Sequence, residues 1–306
     1  MTTQPANLVS LALSLRPAGP PASQAVLPLW WGRAAHALLL QVMRQSDEDL
    51  AQDLHESGSS PRPFTTSTLI GYDSRRGLQA ERVYTLRLTG LNQEVSGRLL
   101  EASQAGGSLH PGREVELDFL PFEIVANSLC LPAAAGDGAQ AQAAARWSRQ
   151  TSYQELSAPY LLAKAPPERR LTLKFFSPAS WKAAAGMHLP MPLPELFFSS
   201  LLNRWNAFAP VTLPAEARRY AAECLAISRY RLSSSVIPQK QGSKRIGCVG
   251  EVTYSSLNYD PYWMGLLQAL ADYAFFAGVG ISTTQGMGQC CRVEAPAKKH
   301  HNRVQD

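Results

Sequence analysis

The order of strand and helix patterns predicts an α+β protein made of two tandem ferredoxin-like domains, each with the topology βαββαβ. Three observations lead to this fold class. Apolar residues alternate with period 2 in some segments and recur with period 3.6 in others. The same succession of segments occurs in both halves of the 306-residue chain. A low-complexity segment separates the two halves.

In the first half, a strand opens the pattern and a long helix follows it. A cluster of acidic residues breaks that helix near residues 46–49. Two strands, a second helix and a final strand complete the unit. The predicted elements are a strand at 8–15, a helix at 30–54, strands at 64–72 and 82–91, a helix at 93–104 and a strand at 114–126.

The second half repeats this order. Its two middle strands flank a short polar segment, so we expect them to pair as a hairpin. This topology is shared with RNA-recognition modules, although a fold alone does not assign a function. The predicted elements are a strand at 171–176, a helix at 193–208, strands at 226–237 and 246–255, a helix at 262–277 and a strand at 289–294.

The boundary between the halves is predicted from composition. Residues 132–145 are almost entirely small, mostly alanine with two glycines, and such a segment suits a flexible or partly helical connection. We therefore predict an N-terminal domain at 1–130, a linker at 131–150 and a C-terminal domain at 151–306.

Composition excludes some classes of protein and permits others. The hydrophobic fraction is 45%, and no apolar run approaches the roughly 18 residues that suggest a membrane span. No secretory signal pattern opens the chain, so we expect a cytoplasmic protein without membrane partners. The five cysteines form no Cys-x-x-Cys pair, and neither a metal site nor any other cofactor is expected.

The charge balance suits an anionic partner. The net charge is +5 and the isoelectric point is about 9.0, a bias that permits nucleic-acid binding without requiring it. Lys240, Lys244 and Arg245 concentrate positive charge at the tip of the predicted hairpin. They could grip a phosphate backbone, or they could simply form a solvated turn.

A glycine-rich segment near the C-terminus is the most informative motif. Residues 278–288 read Gly-Val-Gly-Ile-Ser-Thr-Thr-Gln-Gly-Met-Gly, with a helix before them and a strand after them. Thr283 stands where a dinucleotide fingerprint needs its third glycine, and no Gly-Lys-Ser/Thr follows as in a Walker A loop. The motif is therefore a glycine loop between a helix and a strand, not a nucleotide-phosphate loop.

This doubled Gly-hydrophobic-Gly pattern resembles the hallmark of the CRISPR-associated endoribonucleases that cut precursor repeat RNA, within the repeat-associated RNA-binding (RAMP) superfamily. The stretches at 171–180, 194–205 and 250–254 are also similar to that family. The resemblance implies that the loop supports RNA through close approach of its backbone. The loop residues that we expect to contact RNA are Gly278, Gly280, Ser282, Thr283, Gly286 and Gly288.

The resemblance also suggests catalytic residues. His55 ends a helical pattern and opens a loop rich in Gly, Ser and Pro, where an imidazole can exchange protons near neutral pH. A loop histidine taken alone is more often a surface residue. Members of the family have a similar stretch, with a Leu-His pair, a loop, a basic residue and then Phe-Thr. On that match His55 is the catalytic histidine and Arg62 is the basic residue of the loop.

The sequence departs from the family at one position. Some members place a tyrosine on the first helix, and the approximate equivalent here is Leu40. His36 lies four residues earlier on the same helical face and could supply the second proton-transfer group. The alternative is a partly buried histidine that packs near Trp30 and Trp31.

The resemblance implies a metal-independent endoribonuclease that binds CRISPR repeat RNA and cleaves precursor crRNA. The 2′-hydroxyl would attack the adjacent phosphate and leave a 2′,3′-cyclic phosphate and a 5′-hydroxyl. The alternative is a noncatalytic RAMP-type subunit that holds guide RNA in an interference complex. The sequence leaves open whether the protein is a monomer or a homodimer.

Overall fold

The computed structural model describes residues 7–19, 27–56, 61–129, 144–183, 186–238 and 243–293, without the side chains of residues 55 and 56. Lys240 and most of the predicted linker lie outside these ranges. No helix in the described part of the chain is long and apolar enough to cross a membrane.

The first half forms an antiparallel sheet with helices on one face. Its strands follow the order β2-β3-β1-β5-β4, and β1 pairs with β3 on one side and with β5 on the other. The strands are β1 (Leu8–Pro17), β2 (Phe64–Thr66), β3 (Tyr84–Gly90), β4 (Glu114–Leu117) and β5 (Leu120–Asn127), and the helices are α1 (Gly32–Ser46), α2 (Glu48–Glu56) and α3 (Gln93–Ser103).

The second half repeats this arrangement with the strand order β10-β11-β7-β12. A two-stranded sheet, β8 with β9, lies beside it. The strands are β6 (Arg149–Thr151), β7 (Arg170–Ala179), β8 (Trp181–Lys182), β9 (His188–Leu189), β10 (Leu225–Pro238), β11 (Lys244–Ser256) and β12 (Cys290–Val293). The helices are α4 (Tyr153–Leu161), α5 (Pro194–Phe208), α6 (Glu216–Cys224) and α7 (Pro261–Ala277).

The predicted fold class is confirmed, because the first strand of each unit lies between the third strand and the final one: β1 between β3 and β5, and β7 between β11 and β12. That order is the βαββαβ arrangement. Each sheet buries one face against its helices, and the two resulting cores are largely separate. Leu8 and Leu91, from the first half, nevertheless belong to the core of the second half.

Several details differ from the prediction. The final strand predicted at 114–126 is a hairpin of two strands, β4 and β5, because Asp118 and Phe119 turn the chain with positive φ angles of 50° and 66°. Neither residue is a glycine, so the sequence carried no ordinary turn signal there. The short helices α4 and α6 were not predicted. The strand predicted at 64–72 is regular only over β2 and continues as isolated bridges at Ser67 and Ile70.

The short strand β6 begins within the last two residues of the predicted linker and joins the first sheet by pairing with the start of β1. The chain therefore adds to the N-terminal sheet once more before it enters the second half. Ser10 Oγ donates a hydrogen bond of 2.6 Å to the carbonyl of Trp147, just before β6. The division into two domains at residues 131–150 stays a prediction.

A buried arginine connects the two halves. Arg87 lies on β3, its side chain is fully buried, and its Nε donates to Ser10 Oγ at 2.6 Å. Its two terminal nitrogens donate to Gln289 Oε1 and to the Phe275 carbonyl, both in the second half. The guanidinium also lies 4.3 Å from the centroid of the Phe275 ring. Burial lowers the pKa of Arg87 to about 9, so the side chain is still charged at neutral pH.

We expect Arg87→Met to destabilise the protein by about 3 kcal/mol, because it leaves buried acceptors in both halves without their donor. Urea unfolding followed by fluorescence and by far-UV circular dichroism measures the change. Arg16→Met is the matched control, since Arg16 is partly exposed and pairs with Glu123 at the surface. It should leave the unfolding midpoint unchanged. Equal effects of the two substitutions would show that Arg87 does not hold the halves together.

Candidate functional site: a histidine–arginine centre at the glycine loop

The glycine loop, residues 278–288, folds through backbone conformations that favour glycine. Gly278, Gly280, Gly286 and Gly288 have φ angles of 58°, 72°, 84° and 67°. A Cβ on Gly280 would lie 2.2 Å from the Ser180 carbonyl oxygen, and one on Gly286 would lie 2.6 Å from the Thr68 amide nitrogen. The glycines therefore allow both the turns and the close approach of neighbouring backbone.

Most of the loop's amides are bonded inside the protein. The Gly278 amide donates to the Ala274 carbonyl, the Gly280 amide to Ser200 Oγ, and the Gly288 amide to the Pro178 carbonyl. The amides at 279, 281, 285 and 287 also donate to protein acceptors. The prediction that this loop contacts RNA stays a prediction, and these hydrogen bonds favour a shaping role for its glycines.

The loop docks on the edge of the first sheet. Thr66, at the end of β2, donates from Oγ1 to the Thr284 carbonyl at 2.9 Å, and Ser67 forms a parallel bridge with Gly286. Trp30 Nε1 donates to the Gln285 carbonyl at 2.7 Å. Gly32 makes room for this contact, because a Cβ there would lie 1.8 Å from the Gln285 oxygen. Strand β2 is the outermost strand of its sheet, and the loop from the other half covers its free edge.

His36 lies where α1 meets the loop. Its ring is half-buried and lies 5.4 Å from the Phe64 ring, centroid to centroid. Its Nδ1 is 2.9 Å from the Thr284 carbonyl oxygen, and its Nε2 is 3.2 Å from Arg62 Nη1. The structure therefore brings together His36, Arg62 and the loop, which the sequence placed in three separate segments.

These contacts assign a tautomer to His36. A carbonyl oxygen can only accept a hydrogen bond, and a guanidinium nitrogen can only donate one. Nδ1 must therefore carry the proton, and Nε2 must present its lone pair to Arg62. The ring is held as the neutral Nδ1–H tautomer, with the nitrogen that can accept a proton facing the arginine.

Two clefts meet at this centre. One, of about 600 Å³, extends from Arg62 over the loop to α5 and the β8–β9 pair, and every charged residue that lines it is basic. We call it the cationic cleft. Its basic lining residues are Arg62, Lys182, Arg204 and Arg245, together with His188.

The second cleft, of about 710 Å³, is lined by His36 itself. We call it the mixed-charge cleft, because two arginines and two carboxylates line it. Arg62 and Gln285 border both clefts, so the histidine–arginine centre lies at their junction. The charged lining residues of the mixed-charge cleft are Arg33, Arg62, Glu116 and Asp118.

The described residues of the basic hairpin reach this region in different ways. Arg245 donates from Nη1 to Ser282 Oγ and so contacts the loop directly, whereas Lys244 is exposed. Ser282 is itself in the left-handed region, with φ of 54°. Thr283 is buried and Ser282 is half-buried, and both residues line the cationic cleft. Lys240 lies outside the described residues.

His55 lies in the last turn of α2, and its side chain is outside the described residues. The structure therefore leaves the predicted catalytic role of His55 as a prediction. The alternative, in which His36 is a partly buried packing residue, also stays open, because its ring is half-buried and lies against Phe64. Trp31 contacts Tyr72 and Phe122, edge to face.

Arg204 is a site residue that the sequence did not single out. It lies on α5, and its guanidinium donates to the carbonyls of Gly278 at 3.3 Å and of Gly280 at 2.7 Å. Burial lowers its pKa to about 10, so it stays charged at neutral pH. The sequence signal that could have identified Arg204 is its position directly before the buried Trp205 on a largely apolar helix. Among the residues that the structure describes, no group of three or more His, Cys, Asp or Glu side chains could hold a metal ion.

Fold and site together define a class: a tandem ferredoxin-like protein whose His–Arg centre opens onto a cleft suited to a polyanion. Residues 173–290 match the family model of the CRISPR-associated endoribonuclease Cas6. The family resemblance seen in the sequence is confirmed over this segment, which is fewer than half of the chain's residues. No curated protein sequence matches the chain significantly.

Solved structures of the same kind are similar over nearly the whole chain. A Cas6 product complex is 25% identical, with a TM-score of 0.68, and the match covers 94% of this chain and 99% of that one. A second Cas6 product complex is 24% identical with a TM-score of 0.70, covering 94% and 100%. Thermus thermophilus Cas6 is 23% identical with a TM-score of 0.65, covering 95% and 100%. A RAMP protein that binds different RNA substrates shares the fold at 12% identity, with a TM-score of 0.53 and coverage of 94% and 100%.

We expect Gly286→Ala to destabilise the protein by more than about 1 kcal/mol, since alanine disfavours positive φ and its Cβ would meet backbone. Gly97→Ala is the matched control. Gly97 lies inside α3 with no atom within 4 Å of an added Cβ, so this change should stabilise the protein by roughly 0.5 to 1 kcal/mol. Chemical denaturation of both variants measures the difference.

RNA affinity measured on the same Gly286→Ala sample separates the two roles of the loop. Unchanged affinity of the folded fraction would assign the glycine to shaping the loop. Weaker affinity in a folded sample would support a direct backbone contact with RNA.

Proposed function

We propose that this protein binds CRISPR repeat RNA and cleaves precursor crRNA by attack of a ribose 2′-hydroxyl on the adjacent phosphate, without a metal ion. The products would carry a 2′,3′-cyclic phosphate and a 5′-hydroxyl. The observation that carries the proposal is the placement of the His36 imidazole, whose Nδ1 faces the Thr284 carbonyl and whose Nε2 faces Arg62 at the junction of two clefts. The Cas6 family match supports RNA as the substrate.

The chemistry requires a base, a cation and an acid. His36 Nε2 takes the proton of the 2′-hydroxyl when the substrate replaces Arg62 as its partner. The 2′-oxygen then bonds to phosphorus, and the bond from phosphorus to the 5′-oxygen breaks. Arg62, released from the imidazole, holds the phosphate oxygens through its two parallel N–H donors as charge accumulates there.

The Thr284 carbonyl acts through His36 and not on the RNA. It holds the Nδ1 proton and orients the ring, and it also stabilises the imidazolium that forms when Nε2 is protonated. The loop carries this carbonyl, so the loop's conformation determines the direction in which Nε2 points. Thr284 is on this proposal a positioning residue.

The 5′-oxygen that leaves needs a proton from a second group. His55 is our candidate on the strength of the family resemblance of its sequence. It lies on the helix that follows α1, at the start of the segment that returns to Arg62. This proposal makes His36 the base and His55 the acid. The sequence analysis instead took His55 as the catalytic histidine and His36 as the second proton-transfer group.

The cationic cleft is the proposed path of the RNA backbone toward the centre. Lys182, Arg204 and Arg245 line it without any carboxylate, so it attracts consecutive phosphates. Arg204 and Arg245 also bond to the loop and are therefore fixed in place. Lys244 extends the positive charge along the hairpin. The predicted RNA contact of Lys240 stays a prediction. The cytoplasmic location of the protein also stays a prediction.

Cleavage of labelled CRISPR repeat RNA should continue in excess EDTA and stop when the nucleotide 5′ of the cut lacks its 2′-hydroxyl, because the RNA supplies the nucleophile. Denaturing electrophoresis measures the rate, and phosphatase sensitivity of the product ends identifies the cyclic phosphate. A strict requirement for magnesium, or cleavage of the deoxy substrate at the normal rate, contradicts the mechanism. Tight binding without any cleavage favours the noncatalytic RAMP subunit.

His36→Ala should lower the single-turnover cleavage rate by about 100-fold or more and change RNA affinity little, the size expected for losing a proton-transfer group. His55→Ala should do the same if it is the acid. His110→Ala is the control, because His110 lies outside both clefts and contacts the adjacent Pro111 carbonyl. A near-normal rate for folded His36→Ala would return His36 to a packing role.

A further inference from the structure

Phe119 is exposed to an extent that packing cannot explain. It lies at the turn between β4 and β5, and 87% of its surface is accessible, more than for any other large apolar side chain in the described ranges. Exposing a phenyl ring forgoes the free energy that its burial would contribute to folding. The chain therefore gains no folding energy from placing this side chain at the turn.

The backbone at this turn is also strained. Asp118 and Phe119 have φ angles of 50° and 66°, and a two-residue hairpin turn of this kind normally uses Asn-Gly or Asp-Gly. A bulky residue is disfavoured in this region, because its Cβ comes too close to the following carbonyl oxygen. Glycine at position 119 would relieve the strain and the exposure together. Strain and exposure in one residue point to a function for the ring.

The ring borders the mixed-charge cleft together with His36 and Arg62. The histidine–arginine centre thus separates two different environments. On one side, the basic lining of the cationic cleft suits several phosphates. On the other side, Glu116 and Asp118 oppose Arg33, so a continuing run of phosphates is not favoured.

An unpaired nucleobase suits this second environment. An aromatic ring offers a stacking face to any base, and carboxylate and guanidinium groups can hydrogen-bond with a base edge. We propose that Phe119 stacks on the base of the nucleotide that flanks the scissile phosphate on the side away from the cationic cleft. That base would thereby orient the reacting phosphate at His36. The proposal rests on the proposed RNA cleavage.

The test is a cycle of protein and RNA changes measured by equilibrium binding. The RNA is the CRISPR repeat with a 2′-deoxy nucleotide at the mapped cut, which prevents cleavage. One version carries all its bases, and each of the others lacks the base at one position flanking the cut. We expect Phe119→Asn to bind the intact RNA about 10-fold more weakly than wild type, the size of one base–aromatic stack. One abasic position should weaken wild type by the same factor and should not weaken Phe119→Asn further.

Asparagine tolerates positive φ, so Phe119→Asn should fold with unchanged or higher thermal stability. Phe119→Tyr keeps a ring and should retain the affinity of wild type. Leu162→Asn is the control, because Leu162 is 80% exposed and lines neither cleft. It should bind like wild type.

Two outcomes overturn the proposal while cleavage itself stands: unchanged affinity of Phe119→Asn, or an abasic penalty of equal size in Phe119→Asn and wild type. If wild type neither binds nor cleaves repeat RNA, the proposed function fails and the stacking proposal fails with it. The wild-type reaction therefore separates the two failures.

Discussion

The buried guanidinium of Arg87 is the interaction on which the arrangement of the two halves depends. A charge in an apolar interior is tolerated only where its hydrogen bonds are satisfied. Arg87 finds acceptors on its own sheet, at Ser10, and in the other half, at Gln289 and Phe275. These acceptors come together only in one relative position of the halves, so the cost of burying the charge selects that position.

The candidate site follows from this docking. Gln289 comes directly after the glycine loop, and Phe275 lies near the end of the helix before it. Holding both ends of the loop against β3 brings the Thr284 carbonyl to His36 and Gly286 to the edge of β2. The tautomer of the histidine is therefore determined by an atom 248 residues away along the chain. A site built in this way is assembled only when both halves are folded and docked.

The sequence predicted elements whose signals are local. The helices α1, α3, α5 and α7 and the hairpin of β10 and β11 appeared within a few residues of their observed bounds, because apolar periodicity and hairpin spacing are local properties. The β4–β5 turn was missed because Asp118 and Phe119 adopt positive φ without glycine. The helices α4 and α6 have only nine residues each, too few for a distinct period.

The sequence by itself determined the tandem fold, the glycine loop and a set of candidate residues that included both His36 and Arg62. Tertiary structure decided which of them meet. Arg87 reads as an ordinary strand residue, and nothing in the chain near His36 indicates that its partners are Thr284 and Arg62. Hydrogen bonds between distant segments depend on how two sheets dock, and that geometry arises from the packing of whole surfaces, which no local pattern encodes.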